Sequence, residues 1–265
     1  MKRFLPLLLS AALLGGCLPF GGKEKPKVQV PVAQAPPKPS PKEKAQGYYQ
    51  IAVAYLNLGE IPLALNYLYK AKKLEPNDPK IYNALGLAFL KRGDLKRARE
   101  NLQKALRLKP NFSEAWLNLG MLYEEEGNLK EARRCYEKAL SNPLYLTPEV
   151  AYYHLALLDE KEGNLKGAKR NLALAIRNNP DYVPAYVELA KIFEKEGDYG
   201  RAQDLYFRLI NLYPNLQYPY CALGKLYLKV GDRDNGVKFL RKCVNVNPTT
   251  PLAADATRLL EEMNE

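Results

Sequence analysis

An all-α fold of stacked helical hairpins is predicted for this 265-residue chain by three features of its sequence. Gly59, Gly93, Gly127, Gly163, Gly197 and Gly231 recur at spacings of 34, 34, 36, 34 and 34 residues. A small residue follows each of them five positions later: Ala64, Ala98, Ala132, Ala168, Ala202 and Gly236. Between these marks the apolar residues keep helical intervals, as Tyr82, Leu85, Gly86 and Phe89 do at i, i+3, i+4 and i+7. A fixed period of this length is the signature of one helical unit repeated along the chain.

The second unit shows why each element forms. The stripe from Tyr82 to Phe89 makes the first helix, and Gly93 ends it in a left-handed conformation where a Cβ is costly. Asp94 then caps the next helix, as Asn128, Asn164, Asp198 and Asp232 do in later units. Leu95, Ala98, Leu102 and Ala105 form the apolar stripe of that second helix, and Pro110 stops it. Gly86, Ala98 and Ala105 are small enough for the two backbones to approach closely. One hairpin cannot cover its own apolar face, so six units must stack: 45–78, 79–112, 113–146, 149–182, 183–216 and 217–250. Residues 251–265 hold a final capping helix, with Leu252, Ala256, Leu259, Leu260 and Met263 on one side and Asp255, Arg258, Glu261 and Glu262 on the other.

In the third unit Trp116, Leu119, Gly120, Tyr123, Ala132, Tyr136 and Ala139 match the tetratricopeptide repeat position for position, with the final proline displaced to Pro143. The chain therefore resembles that family, and the resemblance implies a right-handed superhelical solenoid with a concave and a convex side. Four departures stand out. Two extra residues lie within Ser141–Pro148, where a longer turn and a change of curvature are expected. Glu60 replaces the usual cap in the first unit, although Pro62 suits a first helical turn. Asp159 stands where other units carry Tyr or Phe, and looser packing is expected there. Gly236 replaces alanine, at a cost to the helix of up to about 1 kcal/mol.

The amino terminus reads as an address. Lys2-Arg3 precedes a mostly apolar run from Phe4 to Leu14, too short to span roughly 30 Å of hydrocarbon, so residues 1–16 are expected to be a signal peptide. Leu14-Gly15-Gly16-Cys17 resembles the lipobox of bacterial lipoproteins, which implies cleavage before Cys17 and acylation of that residue. A residue other than aspartate after the cysteine, here Leu18, implies sorting to the outer membrane, with the protein facing the periplasm. Residues 17–44 alternate proline with lysine and are expected to form a disordered tether reaching up to roughly 80 Å.

The first helix of each unit is expected to line the concave side. Counted from Ala45, the lining positions hold Tyr49, Val53 and Leu56, then Leu87 and Leu90, Leu117 and Met121, and Tyr153 and Leu157. From Glu124 and Glu160 onward the lining turns charged, with Lys191, Glu194 and Lys225 further along. An apolar stretch followed by a charged one suits an amphipathic helix or an extended peptide. Burial of the same residues by neighbouring hairpins is the alternative. The carboxylate clamp that some members of the family use is not expected, because its places hold Tyr49, Val53, Ala84, Glu114 and Asn118.

Little here points to catalysis, and no enzyme, cofactor or metal is expected. Four serines, one histidine and four cysteines supply few nucleophiles or bases. His154 has no second ligand at metal spacing, and the run Glu124-Glu125-Glu126 reads as solvated charge. Gly21-Gly22-Lys23 lacks the first glycine and the Ser/Thr of a phosphate loop. The formal charge of +11 falls to 32 bases against 27 acids once residues 1–44 are set aside, so no nucleic-acid partner is expected. Positions 5 and 27 of one hairpin lie near each other, which allows a disulfide between Cys221 and Cys243 without requiring it.

Lipobox, Pro/Lys tether and six repeats together resemble the type IV pilus biogenesis lipoproteins, the PilF/PilW pilotins. That resemblance implies a secretin subunit as the partner, held by the first units, and help with its oligomerisation at the outer membrane. An envelope adaptor for cell-wall enzymes or outer-membrane assembly factors is the alternative.

Overall fold

The structure, a computed structural model, describes residues 39–263. The signal peptide, Cys17 and the tether as far as residue 38 lie outside the described residues. Thirteen α-helices and no strand occur among the described residues: α1 (Pro41–Asn57), α2 (Ile61–Leu74), α3 (Pro79–Lys91), α4 (Leu95–Leu108), α5 (Ser113–Glu125), α6 (Leu129–Leu140), α7 (Pro148–Lys161), α8 (Leu165–Asn178), α9 (Val183–Lys195), α10 (Tyr199–Leu212), α11 (Gln217–Lys229), α12 (Arg233–Val246) and α13 (Pro251–Glu262). They pack as consecutive pairs, each pair resting on the next, and α13 lies against α11 and α12.

The expected punctuation holds. All six recurring glycines have φ between 74° and 86°, a conformation that other residues rarely adopt. Asp94, Asn128, Asn164, Asp198 and Asp232 each accept a hydrogen bond from a backbone N–H of the first turn that follows. Glu60 makes no side-chain cap, and Pro62 sits in the first turn of α2. One boundary moves: Pro41–Lys44, assigned to the tether, are the first turn of α1. Ser40 and Glu43 form a reciprocal capping box that starts the helix there.

Close packing explains the small residues. A Cβ on Gly120 would lie 2.4 Å from Tyr136 Cε1, so glycine lets α5 settle against the ring of α6. A Cβ on Gly236 would lie 2.3 Å from Leu228 Cδ2, so this glycine, expected to cost helix stability, gives the Leu228 side chain room to pack against α12. Asp159 is likewise not a loose spot. It is 3% exposed and accepts from Arg133 Nη2 at 3.0 Å, Asn164 Nδ2 at 3.2 Å and Asn171 Nδ2 at 2.7 Å. A Cβ on Gly167 would clash with Asn164 and Asp159, so the polar knot occupies the volume that an aromatic ring fills in other units.

The core divides into three clusters. One spans α1 to α6, one runs from α7 to α13, and a smaller one containing Tyr136, Tyr145 and Leu155 lies beside the long turn. Cys221 and Cys243 are joined as a disulfide between α11 and α12, their Cα atoms 4.9 Å apart. Cys135 is free and buried, and burial pushes its thiol up to about 12.

Candidate functional site: the inner face of the odd-numbered helices

Successive odd-numbered helices α1, α3 and α5 touch one another, whereas α2, α4 and α6 make no comparable contact. The first three hairpins therefore curve with their odd-numbered helices inside. Beyond the long turn, α5 and α7 lie less closely together, as do α7 and α9. Polar bonds also run between odd-numbered neighbours: Asn118 Nδ2 donates to Asn83 Oδ1 at 2.9 Å, His154 Nδ1 lies 2.9 Å from Glu124 Oε2, and Lys161 Nζ is 3.1 Å from Glu124 Oε1. These bonds mark the seam along which the inner face is assembled.

Nine residues were expected to line it. Leu56 does not: it is 4% exposed and belongs to the first core cluster. Tyr49, Leu87 and Leu90 are half-buried and pack partly against that cluster, Leu117 and Met121 against the smaller one, and Tyr153 against the cluster from α7 to α13. Val53 and Leu157 are half-buried and belong to no cluster. The hairpins thus bury part of each side chain and leave the rest open. Burial, followed by the charges of Asp78 and Glu114, raises the Tyr49 phenol above its ordinary value and keeps it a neutral hydrogen-bonding group.

The charged half of the lining is less free than its sequence suggests. Glu124, expected to be solvated, has a side chain only 12% exposed and accepts from the Tyr136 hydroxyl, His154 and Lys161. Burial pushes its carboxyl up, but those three partners outweigh burial and hold it at about 2. The His154 ring stacks on Tyr136 with centroids 5.1 Å apart. Glu160 pairs with Lys195, Glu194 accepts from the Tyr206 hydroxyl at 2.6 Å, and Lys225 lies 2.5 Å from Asp255 of α13. Burial lowers Lys191, but its bond to Glu188 prevails and raises it. This end of the face offers fixed, internally neutralised polar groups, while the end formed by α1, α3 and α5 offers apolar surface.

The Glu124 cluster was not legible from the sequence. The signal that could have found it is spacing: Glu124 and Lys161 lie 37 residues apart and Glu160 and Lys195 lie 35 apart, one repeat plus a helical step in each case.

Family models described as tetratricopeptide repeat match residues 45–78, 83–145, 185–217 and 218–250, together more than half of the chain. The fourth hairpin, which contains the Asp159 knot, falls between the matched segments. A search of curated proteins found no match. Among solved structures, PilF of Pseudomonas aeruginosa is similar with a TM-score of 0.67 and 21% identity, over 82% of this chain and 98% of that one. PilW, a widely conserved type IV pilus biogenesis factor, is similar with a TM-score of 0.69 and 20% identity, over 80% of this chain and 98% of that one. YrrB, a TPR protein with an unusual peptide-binding site, is similar with a TM-score of 0.52 and 22% identity, over 72% and 97%.

Proposed function

This chain belongs to the tetratricopeptide-repeat family, and from that premise we propose that it is an envelope scaffold that holds a segment of a partner protein on the inner face of α1, α3 and α5. One observation carries the proposal. Val53, Leu87, Leu90, Leu117 and Met121 stay partly open on that face although the core beside them is already closed. Apolar side chains left open along one curved face favour a partner that brings its own apolar side chains, laid as an amphipathic helix or an extended strand.

We further propose that the chain is anchored by acylated Cys17 to the outer membrane, facing the periplasm, and that its partner is a secretin subunit of a type IV pilus. The lipobox resemblance supports the anchor, since more than one acyl chain gives stable attachment. Likeness of fold to PilF and PilW, over four-fifths of this chain and nearly all of theirs, supports the pilus assignment. The test uses cells carrying Leu87→Asp with Met121→Asp, and separately Cys17→Ala. The groove variant is expected to stay in the outer membrane but lose secretin multimers, and the cysteine variant to lose palmitate labelling and membrane attachment. Unchanged secretin multimers in the groove variant would overturn the pilus assignment and leave a general envelope adaptor.

A further inference from the structure

The two ends of the stack are finished differently. At the carboxyl end α13 covers the sixth hairpin and turns Thr257, Arg258, Glu261 and Glu262 to solvent. At the amino end no described residue plays that part. Ile51 on α1 is 41% exposed, while its repeat equivalents Leu85, Leu119, Leu155, Leu189 and Leu223 are 0–8% exposed. Ala54 is exposed, while its equivalents Ala88, Leu122, Leu158, Ile192 and Leu226 are at most 1% exposed. In every later hairpin these positions are buried where the preceding hairpin stacks. Leu58 is 74% exposed at a position where four of the five later hairpins carry a charged residue, and Leu63 is 44% exposed where all five carry a charged residue, a polar residue or glycine. The amino-terminal edge is thus an inter-hairpin interface with no partner among the described residues.

The pattern of side-chain sizes on this edge selects its occupant. Gly47, Ile51, Ala54 and Leu58 fall at i, i+4, i+7 and i+11, one stripe along α1 and its cap, alternating small with large. A Cβ added at Gly47 would meet nothing within 4 Å, so the space above it is open. Place a second α1 antiparallel across the first, with the twofold axis between residues 52 and 53. Gly47 then faces Leu58 of the other copy, and Ile51 faces Ala54, so each large side chain meets a small one. Lys44, exposed in the first turn of one α1, comes nearly level with exposed Glu60 beyond the end of the other. Head-to-tail stacking is disfavoured, because it would lay this apolar edge on the charged outer face of α13.

We infer that this protein forms a twofold-symmetric dimer through antiparallel contact of the two α1 helices, centred on Ile51 and Ala54. The surface is separate from the inner face proposed for partner binding, so the dimer would present two such faces at once.

The experiment is sedimentation velocity on the full chain in density-matched detergent, with cysteine cross-linking as a second measurement. The wild-type chain is expected to sediment as a dimer. Ile51→Arg is expected to raise the dissociation constant about tenfold or more, because a charge would be buried without a partner. Its circular dichroism should not change, since Ile51 lies outside the core. Cross-linking sets the register: a mixture of Ile51→Cys and Ala54→Cys chains should cross-link far better than either variant alone. A monomer at all concentrations would overturn the inference, including one whose residues 18–38 cover the edge. A dimer indifferent to Ile51→Arg, or one in which Ile51→Cys cross-links best to itself, would do the same.

Discussion

Arg133 Nη2 lies 3.0 Å from Oδ1 of Asp159, a carboxylate 3% exposed in the place where other hairpins hold a tyrosine or phenylalanine ring. Arg133 also reaches Glu162 at 2.8 Å, and equivalent bridges join Arg99 to Glu126 and Lys169 to Glu196. A cation on each second helix thus reaches the first helix of the next hairpin across three successive junctions. Only at the middle junction is one of the acids buried.

That difference predicts unequal costs. Arg133→Met leaves the Asp159 carboxylate buried without its cation and should destabilise the fold by about 3 kcal/mol. Arg99→Met breaks a bridge whose partners are both near solvent and should cost less than about 1 kcal/mol. Urea denaturation of the two variants side by side provides the comparison, and equal costs would contradict the buried role of Asp159.

Gly236→Ala should destabilise by about 1–3 kcal/mol, although alanine is the better helix former, because the new methyl would meet Leu228. Adding Leu228→Ala should recover part of the Gly236→Ala loss by removing the clash. A double-mutant cycle in thermal melts measures that coupling, and a stabilising Gly236→Ala would show that helix propensity dominates.

Glu124 sets an acid limb. Its carboxyl titrates at about 2 in the folded chain, below the ordinary carboxylate value. Its contribution to stability is therefore complete above the unfolded-state pKa and lost as the pH falls from about 5 towards 2. Melting temperatures across that window should drop less steeply in Glu124→Gln than in the wild type.

The disulfide closes a short loop within the last hairpin, so Cys243→Ser should cost about 3 kcal/mol under oxidising conditions and far less in reductant. Hydrogen exchange should report the loss in α11, α12 and α13 and leave α1 to α6 unchanged.

Much of the fold was legible because its determinants are local and periodic. A glycine at positive φ and an Asp or Asn cap mark each inner turn from the second hairpin on, and both are visible one residue at a time. The start of α1 was also visible, in Ser40 and Glu43 three residues apart, but the prolines and lysines around them obscured it. What the sequence hides is the space between hairpins. Leu56 and Leu90 hold the same repeat position, yet Leu56 is buried in the core and Leu90 stays partly open. Asp159 reads as a defect until Asn164, Gly167 and Asn171 are seen to converge on it. How far each residue expected on the inner face is buried was not legible, since half-burial depends on the neighbouring helix.

Photo-cross-linking in cells tests the central claim most directly. A photoreactive side chain would replace Leu87, Leu90 or Leu117 on the inner face, and Gln103 or Arg107 on the exposed side of α4. Strong adducts to one partner protein from the three inner positions, with none from α4, are the result expected. Adducts from α4 with none from the inner face would contradict the groove as the binding surface.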